Sequence, residues 1–175
     1  MILKGSLSAP FCFTEDKMEN IIYRKAEKKD IPDMLSLIKE LAAYEHLEHE
    51  AKATVSDFEK WMFDEKKVYA FMAEVNGKNI GMAIYFYNFS TWLGKCGLYL
   101  EDLYIKPEYR GKGYGKGLLK TLAKEAQKEG LGRLEWACLD WNKPSIDFYL
   151  SMDALPMDEW TVYRLTGETL KKAAE

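Results

Sequence analysis

From Ile21 onward, hydrophobic residues alternate between two periods, and most of the expected elements follow from where one period gives way to the other. Ile21-Ile22-Tyr23-Arg24 reads as a short strand. Ile31, Met34, Leu35, Ile38, Leu41 and Ala42 then recur at helical spacing, predicting a helix to Tyr44 or Glu45 with Asp30 as its cap and Pro32 in its first turn. The polar run 45–50 reads as a solvated helix end and loop. Thr54-Val55-Ser56-Asp57 predicts the capped start of a short helix through Trp61 and Met62. Two aromatic-rich strands, 68–75 and 79–88, flank Asn76-Gly77, the pair that suits a type I′ hairpin. A loop over 90–97 leads to another strand, which ends near Ile105. The next helix carries Leu118, Leu119, Leu122, Ala123 and Ala126 on one face, with Lys116, Lys120, Lys124 and Lys128 toward water. Beyond Gly130 and Gly132 the pattern predicts a strand over 134–139 and a helix over 145–150 capped by residues 140–144. A last strand is expected over 160–165, then a closing helix or frayed tail over 168–174.

Residues 1–20 fit neither period, being interrupted by Gly5, Ser6, Ser8 and Pro10. They read as an N-terminal extension, ordered or disordered, with Met18 a second candidate start. Residues 21–175 read as one domain, long enough to bury a core without disulfide, metal or partner. The order of elements is that of an α/β arrangement around one mixed sheet.

Composition narrows the partners. A net charge of −3 does not imply a nucleic-acid surface and is compatible with an acidic site for cationic small molecules. Cys12, Cys96 and Cys138 are odd in number and lack Cys-x-x-Cys spacing, and with His46 and His49 they form no metal set. A reducing cytoplasm is the expected compartment. No apolar run approaches the roughly 18 residues of a membrane span, and the first residues lack the apolar core of a signal peptide.

The chemistry gathers around Tyr99 to Gly117, a strand, a glycine-rich turn and a helix start. Gly111, Gly113 and Gly115 let successive N–H groups converge on one concavity, and the helix beginning there adds the positive end of its dipole. Such a turn cradles phosphate. It is not a P-loop, because no Ser or Thr follows a Gly-Lys pair, and it is not a dinucleotide fingerprint, because Lys116 stands where the third glycine belongs.

The remaining pattern, Arg110-x-x-Gly113-x-Gly115, resembles the pyrophosphate loop of the GCN5-related N-acetyltransferases, GNAT for short. Leu100-Glu101-Asp102, Trp141-Asn142, Phe148-Tyr149, Ala42-x-Tyr44-Glu45 and Trp92-Leu93-Gly94-Lys95 narrow the resemblance to the spermidine/spermine (diamine) acetyltransferases and their bacterial relatives. The similarity runs from about Ile21 to Leu170. It implies the acyl-CoA N-acyltransferase fold, a single mixed, mostly antiparallel sheet flanked by helices. It also implies acetyl-CoA as cosubstrate, no metal, no nucleic-acid or membrane partner, and a homodimer, for which 85–92 and 159–165 are candidate surfaces.

What the resemblance implies for single residues follows from the reaction. An alkylamine titrates near pH 10, so at pH 7 only about one molecule in a few thousand has a free lone pair, a handicap on the order of 4 to 5 kcal/mol. Glu101 is the candidate base, directly or through a water, and Tyr149 the candidate acid for the departing sulfur. Backbone N–H groups at Leu103, Tyr104 and Ile105 would meet the cofactor arm and thioester carbonyl, with the pyrophosphate on Arg110, Gly111, Lys112, Gly113, Tyr114, Gly115 and Lys116. Asn142 and Ser145 would bind the pantetheine or phosphate end. Glu45, Trp92, Asp102, Asp158 and Trp160 occupy places that line the family's amine channel. Ser90 replaces an aspartate of the animal enzymes, 95–97 is one residue longer, and Asp153 stands where a glycine is usual. The acceptor is therefore open among polyamines, a shorter diamine, a lysine-like amine and thialysine. Acetylation of a protein, or a silent acetyl-CoA sensor, is the alternative reading.

Overall fold

The computed structural model describes residues 20–175, so all but the last residue of the expected N-terminal extension lies outside the described residues. The chain divides between Trp136 and Ala137 into two compact units.

The first unit is built on a sheet of five strands in sequence order: β1 (Ile21–Lys25), β2 (Tyr69–Val75), β3 (Lys78–Ser90), β4 (Lys95–Ile105) and β5 (Leu134–Trp136). The first three pairings are antiparallel and β4–β5 is parallel, giving the expected mixed, mostly antiparallel sheet. Asn76 and Gly77 both have positive φ, as a type I′ turn requires. The connection expected over 90–97 is shorter than the sequence suggests. Ser90 pairs with Lys95, so the β3–β4 ladder extends to a tight turn in which Gly94 takes φ of 61°.

Helix α1 (Ile31–Tyr44) covers one face of the sheet. Met34 and Leu37 from α1 join Met72, Met82, Ile84 and Tyr104 from the strands in one buried cluster. Helix α2 (Val55–Phe58), opened by Thr54 accepting from the Asp57 N–H, continues as a π-helical turn over Glu59–Asp64 and adds Met62 to that cluster. Asp30 does not cap α1 with its side chain as expected. Its carboxylate instead receives both terminal nitrogens of Arg24 at 2.6 and 2.9 Å and the Glu27 N–H at 2.8 Å, pinning the helix start to β1.

Helix α3 (Tyr114–Lys128) packs on the opposite face and buries Leu118, Leu119, Leu122 and Ala126. Its closest approach is at Gly117, where a Cβ would overlap the Tyr23 ring, and the Tyr23 hydroxyl donates to the Tyr114 carbonyl at 3.1 Å.

The second unit, Ala137–Glu175, contains α4 (Lys143–Leu150) and α5 (Gly167–Lys172). The Asn142 side chain accepts from the Ser145 N–H at 3.3 Å, with Pro144 in the first turn, so the expected cap holds. The strand expected over 160–165 does not form; Trp160, Val162 and Tyr163 are exposed by 65%, 79% and 90%. Alternating hydrophobics fit a pleated surface only when another strand supplies it, and no ladder reaches this stretch. For the same reason the strand expected over 134–139 stops at Trp136, where its pairing with β4 ends.

Candidate active site

Two irregularities of β4 shape the site. The first is a bulge: Ile84 pairs with Asp102 while Tyr85 pairs with Leu100, leaving Glu101 as the extra residue. One inserted residue exchanges the faces of everything beyond it. Leu100, opposite Tyr85, belongs to the α3 side, whereas Tyr104, opposite Met82, belongs to the α1 cluster. Asp102, paired with Ile84 of the same cluster, is thereby turned toward α1, where the C-cap residue Glu45 waits.

The second irregularity is a parting of strands. β4 pairs with β5 only over Leu98, Leu100 and the residue between them, then runs on to Ile105 without it. The Lys106 N–H donates to Ile80 at 2.9 Å, and the alternation of an antiparallel ladder then turns the Leu103 and Ile105 amides away from β3, toward the side β5 has left, while the Tyr104 amide, expected on that edge, faces β3. The Ile105 carbonyl on that edge accepts from Arg110 Nε at 2.9 Å.

Electrostatics single out the carboxylates. Asp102 is pushed up to about 6, first by burial and then by the charges of Glu101 and Glu45. Burial also raises Glu45. Glu101 itself is exposed. Removing acidic groups from water is costly unless a positive charge answers them.

After a 3-10 turn at Pro107–Tyr109, the glycine loop runs into α3 with Gly111 and Gly113 at φ of 78° and 81°. Nothing lies within 4 Å of the Cβ either would carry, so backbone conformation and not crowding requires glycine there. Gly113 caps α3 in the left-handed region with no side-chain hydrogen bond, so the positive end of the helix dipole faces the loop. Lys112 and Lys116 are exposed beside it. These features fit a pyrophosphate, and the outward amides of β4 fit the amide-bearing arm of an acyl-CoA.

The other expected site residues belong to other elements of the chain. Trp92 sits in the β3–β4 turn, 87% exposed, and the strand between Lys95 and Glu101 spans about 20 Å. In the second unit, Asn142 is buried, Ser145 and Tyr149 are half-buried, and the Tyr149 ring lies 5.2 Å from that of Phe148. Asp158 and Trp160 fall in its exposed stretch. Sequence reasoning passed over the placement of Tyr44 and Glu40. The Arg110 guanidinium lies over the rings of Tyr44 at 5.2 Å and Tyr104 at 5.3 Å. The Tyr104 hydroxyl reaches Glu40 at 3.4 Å, and Glu40 is ion-paired with Lys106. Glu40 and Tyr44 are one helical turn apart on α1, a spacing that is visible in the sequence, though its target is not.

Among the described residues no cluster of His, Cys, Asp and Glu suits a metal ion, and no helix is long and apolar enough to cross a membrane. The sequence profile of the acetyltransferase (GNAT) family matches residues 31–153. A thialysine N-epsilon-acetyltransferase of Bos taurus is 34% identical over 169 residues, covering 90% of this chain and 99% of its own length. The Caenorhabditis elegans enzyme of the same name is 36% identical over 145 residues, covering 81% and 89%. Among solved structures, an integron cassette protein from the mobile metagenome of V. cholerae superposes with a TM-score of 0.75 at 28% identity, covering 89% of this chain and 98% of that one.

Proposed function

The chain belongs to the GNAT acetyltransferase family, and from that premise we infer an N-acetyltransferase that moves the acetyl group of acetyl-CoA to a primary amine of a small cationic acceptor. The candidate acceptors are a lysine-like amine such as thialysine, or a diamine or polyamine. The observation that carries the acceptor class is the carboxylate group Glu45, Glu101 and Asp102, which the β4 bulge gathers toward the end of α1. The name shared by the bovine and nematode relatives favours the lysine-like members of that class.

Acetyl-CoA supplies an activated acyl group. Arg110 and the N–H groups of 111–116 hold its pyrophosphate, and Leu103 and Ile105 offer amides to its arm and carbonyl. Asp102 and Glu45 hold a distal ammonium and orient the acceptor. Glu101, at the exposed bulge, takes the proton from the attacking amine, a contribution on the order of 100-fold or more. Tyr149 returns a proton to the leaving thiolate, and Asn142 and Ser145 bind along the cofactor. Trp92, Asp158 and Trp160 are proposed to contact the acceptor. A homodimer in a reducing cytoplasm is the proposed assembly and setting; the exposed Phe89 and Trp92 of the hairpin tip, and Cys96 and Cys138 outside any disulfide, are compatible with both.

The test is thiol release from acetyl-CoA against thialysine, lysine, putrescine, spermidine, spermine and a lysine-containing peptide. Turnover of a small amine, falling about 100-fold in Glu101→Gln and clearly in Tyr149→Phe, is the expected result. Turnover of the peptide alone would move the assignment to protein acetylation, and CoA binding without any turnover would point to a sensor.

A further inference from the structure

The end of α1 touches both halves of the site. Tyr44, its last residue, lies under the Arg110 guanidinium at 5.2 Å, and Arg110 begins the glycine loop. Glu45, the next residue, bears electrostatically on Asp102. Arg110 ties that loop to the sheet: its Nε donates to the Ile105 carbonyl at 2.9 Å, and its guanidinium also lies over the Tyr104 ring at 5.3 Å. Tyr104 is steadied by Glu40 one turn back along α1. A guanidinium that lies over two aromatic rings cannot shift without moving a ring or losing a contact. We propose that Tyr44 is a positioning residue that joins the pyrophosphate loop to the acceptor side of the site, so that filling the loop tightens binding of the amine.

The coupling rests on the acetyltransferase reading for its acceptor arm, while its cofactor arm stands independently. Loading the loop fixes Arg110, Arg110 fixes the Tyr44 ring, and the backbone of the helix end carries Glu45 into register with Asp102. Because coupling between two binding sites is reciprocal, the amine must tighten CoA by the same factor.

Calorimetric titration with CoA, which cannot turn over, tests both arms in the parent, Tyr44→Phe and Tyr44→Leu, with thialysine and spermidine as the probe amines. Tyr44→Leu removes the ring and keeps an apolar side chain. It should weaken CoA binding roughly five- to tenfold and abolish the gain in amine affinity that CoA produces in the parent. Tyr44→Phe, which keeps the ring face, should stay within about twofold of the parent on both counts. In turnover, Tyr44→Leu should raise the amine KM at saturating acetyl-CoA while kcat changes little. Unchanged CoA affinity in Tyr44→Leu would overturn the proposal. So would equal weakening of the amine with and without CoA, which would place the ring against the acceptor itself. A parent that binds CoA but turns over no amine would defeat the functional reading, and the CoA affinities would still decide the role of Tyr44.

Discussion

Asp102 carries an electrostatic burden that the fold tolerates. Its carboxyl is raised to about 6 against an ordinary 3.8, so the folded protein binds its proton more readily than the unfolded chain does. Its ionised form therefore detracts from stability above about pH 6, and the loss is relieved as pH falls from there toward 4. Asp102→Asn should raise the unfolding free energy at pH 8 by on the order of 1 kcal/mol, allowing for solvent screening of a half-buried group, and make no gain at pH 4. The same substitution should raise the amine KM at pH 8. In the parent, that KM should climb as pH drops through about 6, where Asp102 gains its proton. Steady-state kinetics across pH 5 to 8 and denaturant melts at its two ends check both signs. Asp30 has the opposite sign: Arg24 and the Glu27 N–H hold it down to about 2, so its contribution is complete above about 4 and disappears as pH falls toward 2. Asp30→Ala leaves Arg24 without its closest partner and should cost about 3 kcal/mol at pH 7, read from the denaturant midpoint.

Among the elements, those governed by neighbours in the chain were legible and those governed by distant partners were not. The hairpin at Asn76-Gly77, the glycine loop and the Asn142 cap are local devices, and each stands where its residues predict. The 160–165 stretch has strand composition and no strand, because composition does not supply the second edge. The β4 bulge is hidden for a related reason. The alternation Leu98-x-Leu100-x-Asp102-x-Tyr104 reads as one unbroken face, and only the register with β3 reveals that Glu101 divides it in two. Two adjacent carboxylates in an apolar strand were the available hint. Gly117 shows how a contact across the sheet can masquerade as part of a loop motif. It follows the cradle in sequence, yet its role is to admit the Tyr23 ring. Gly117→Ala should destabilise the fold by about 1 to 3 kcal/mol through overpacking. Its CoA affinity under native conditions should remain within about twofold, a split between thermal melt and titration that a cradle residue would not show.

At the scale of the whole molecule, the loop, the bulge and the carboxylates lie in the first unit, while Tyr149 and Asn142, proposed as acid and cofactor ligand, lie in the second. The proposed catalytic roles are therefore divided between two units. The parted ladder gives the sheet an unusual clock. Amides inside a five-stranded sheet ordinarily keep their protons for as long as the sheet survives, whereas Leu103 and Ile105 face an edge that β5 has left. In deuterated water these two positions should label on the timescale of a surface loop while their neighbours Asp102 and Tyr104 stay protected. Addition of CoA should slow them until they match. Two positions in the strand would then act as isotopic reporters of cofactor occupancy, read by mass spectrometry without any turnover.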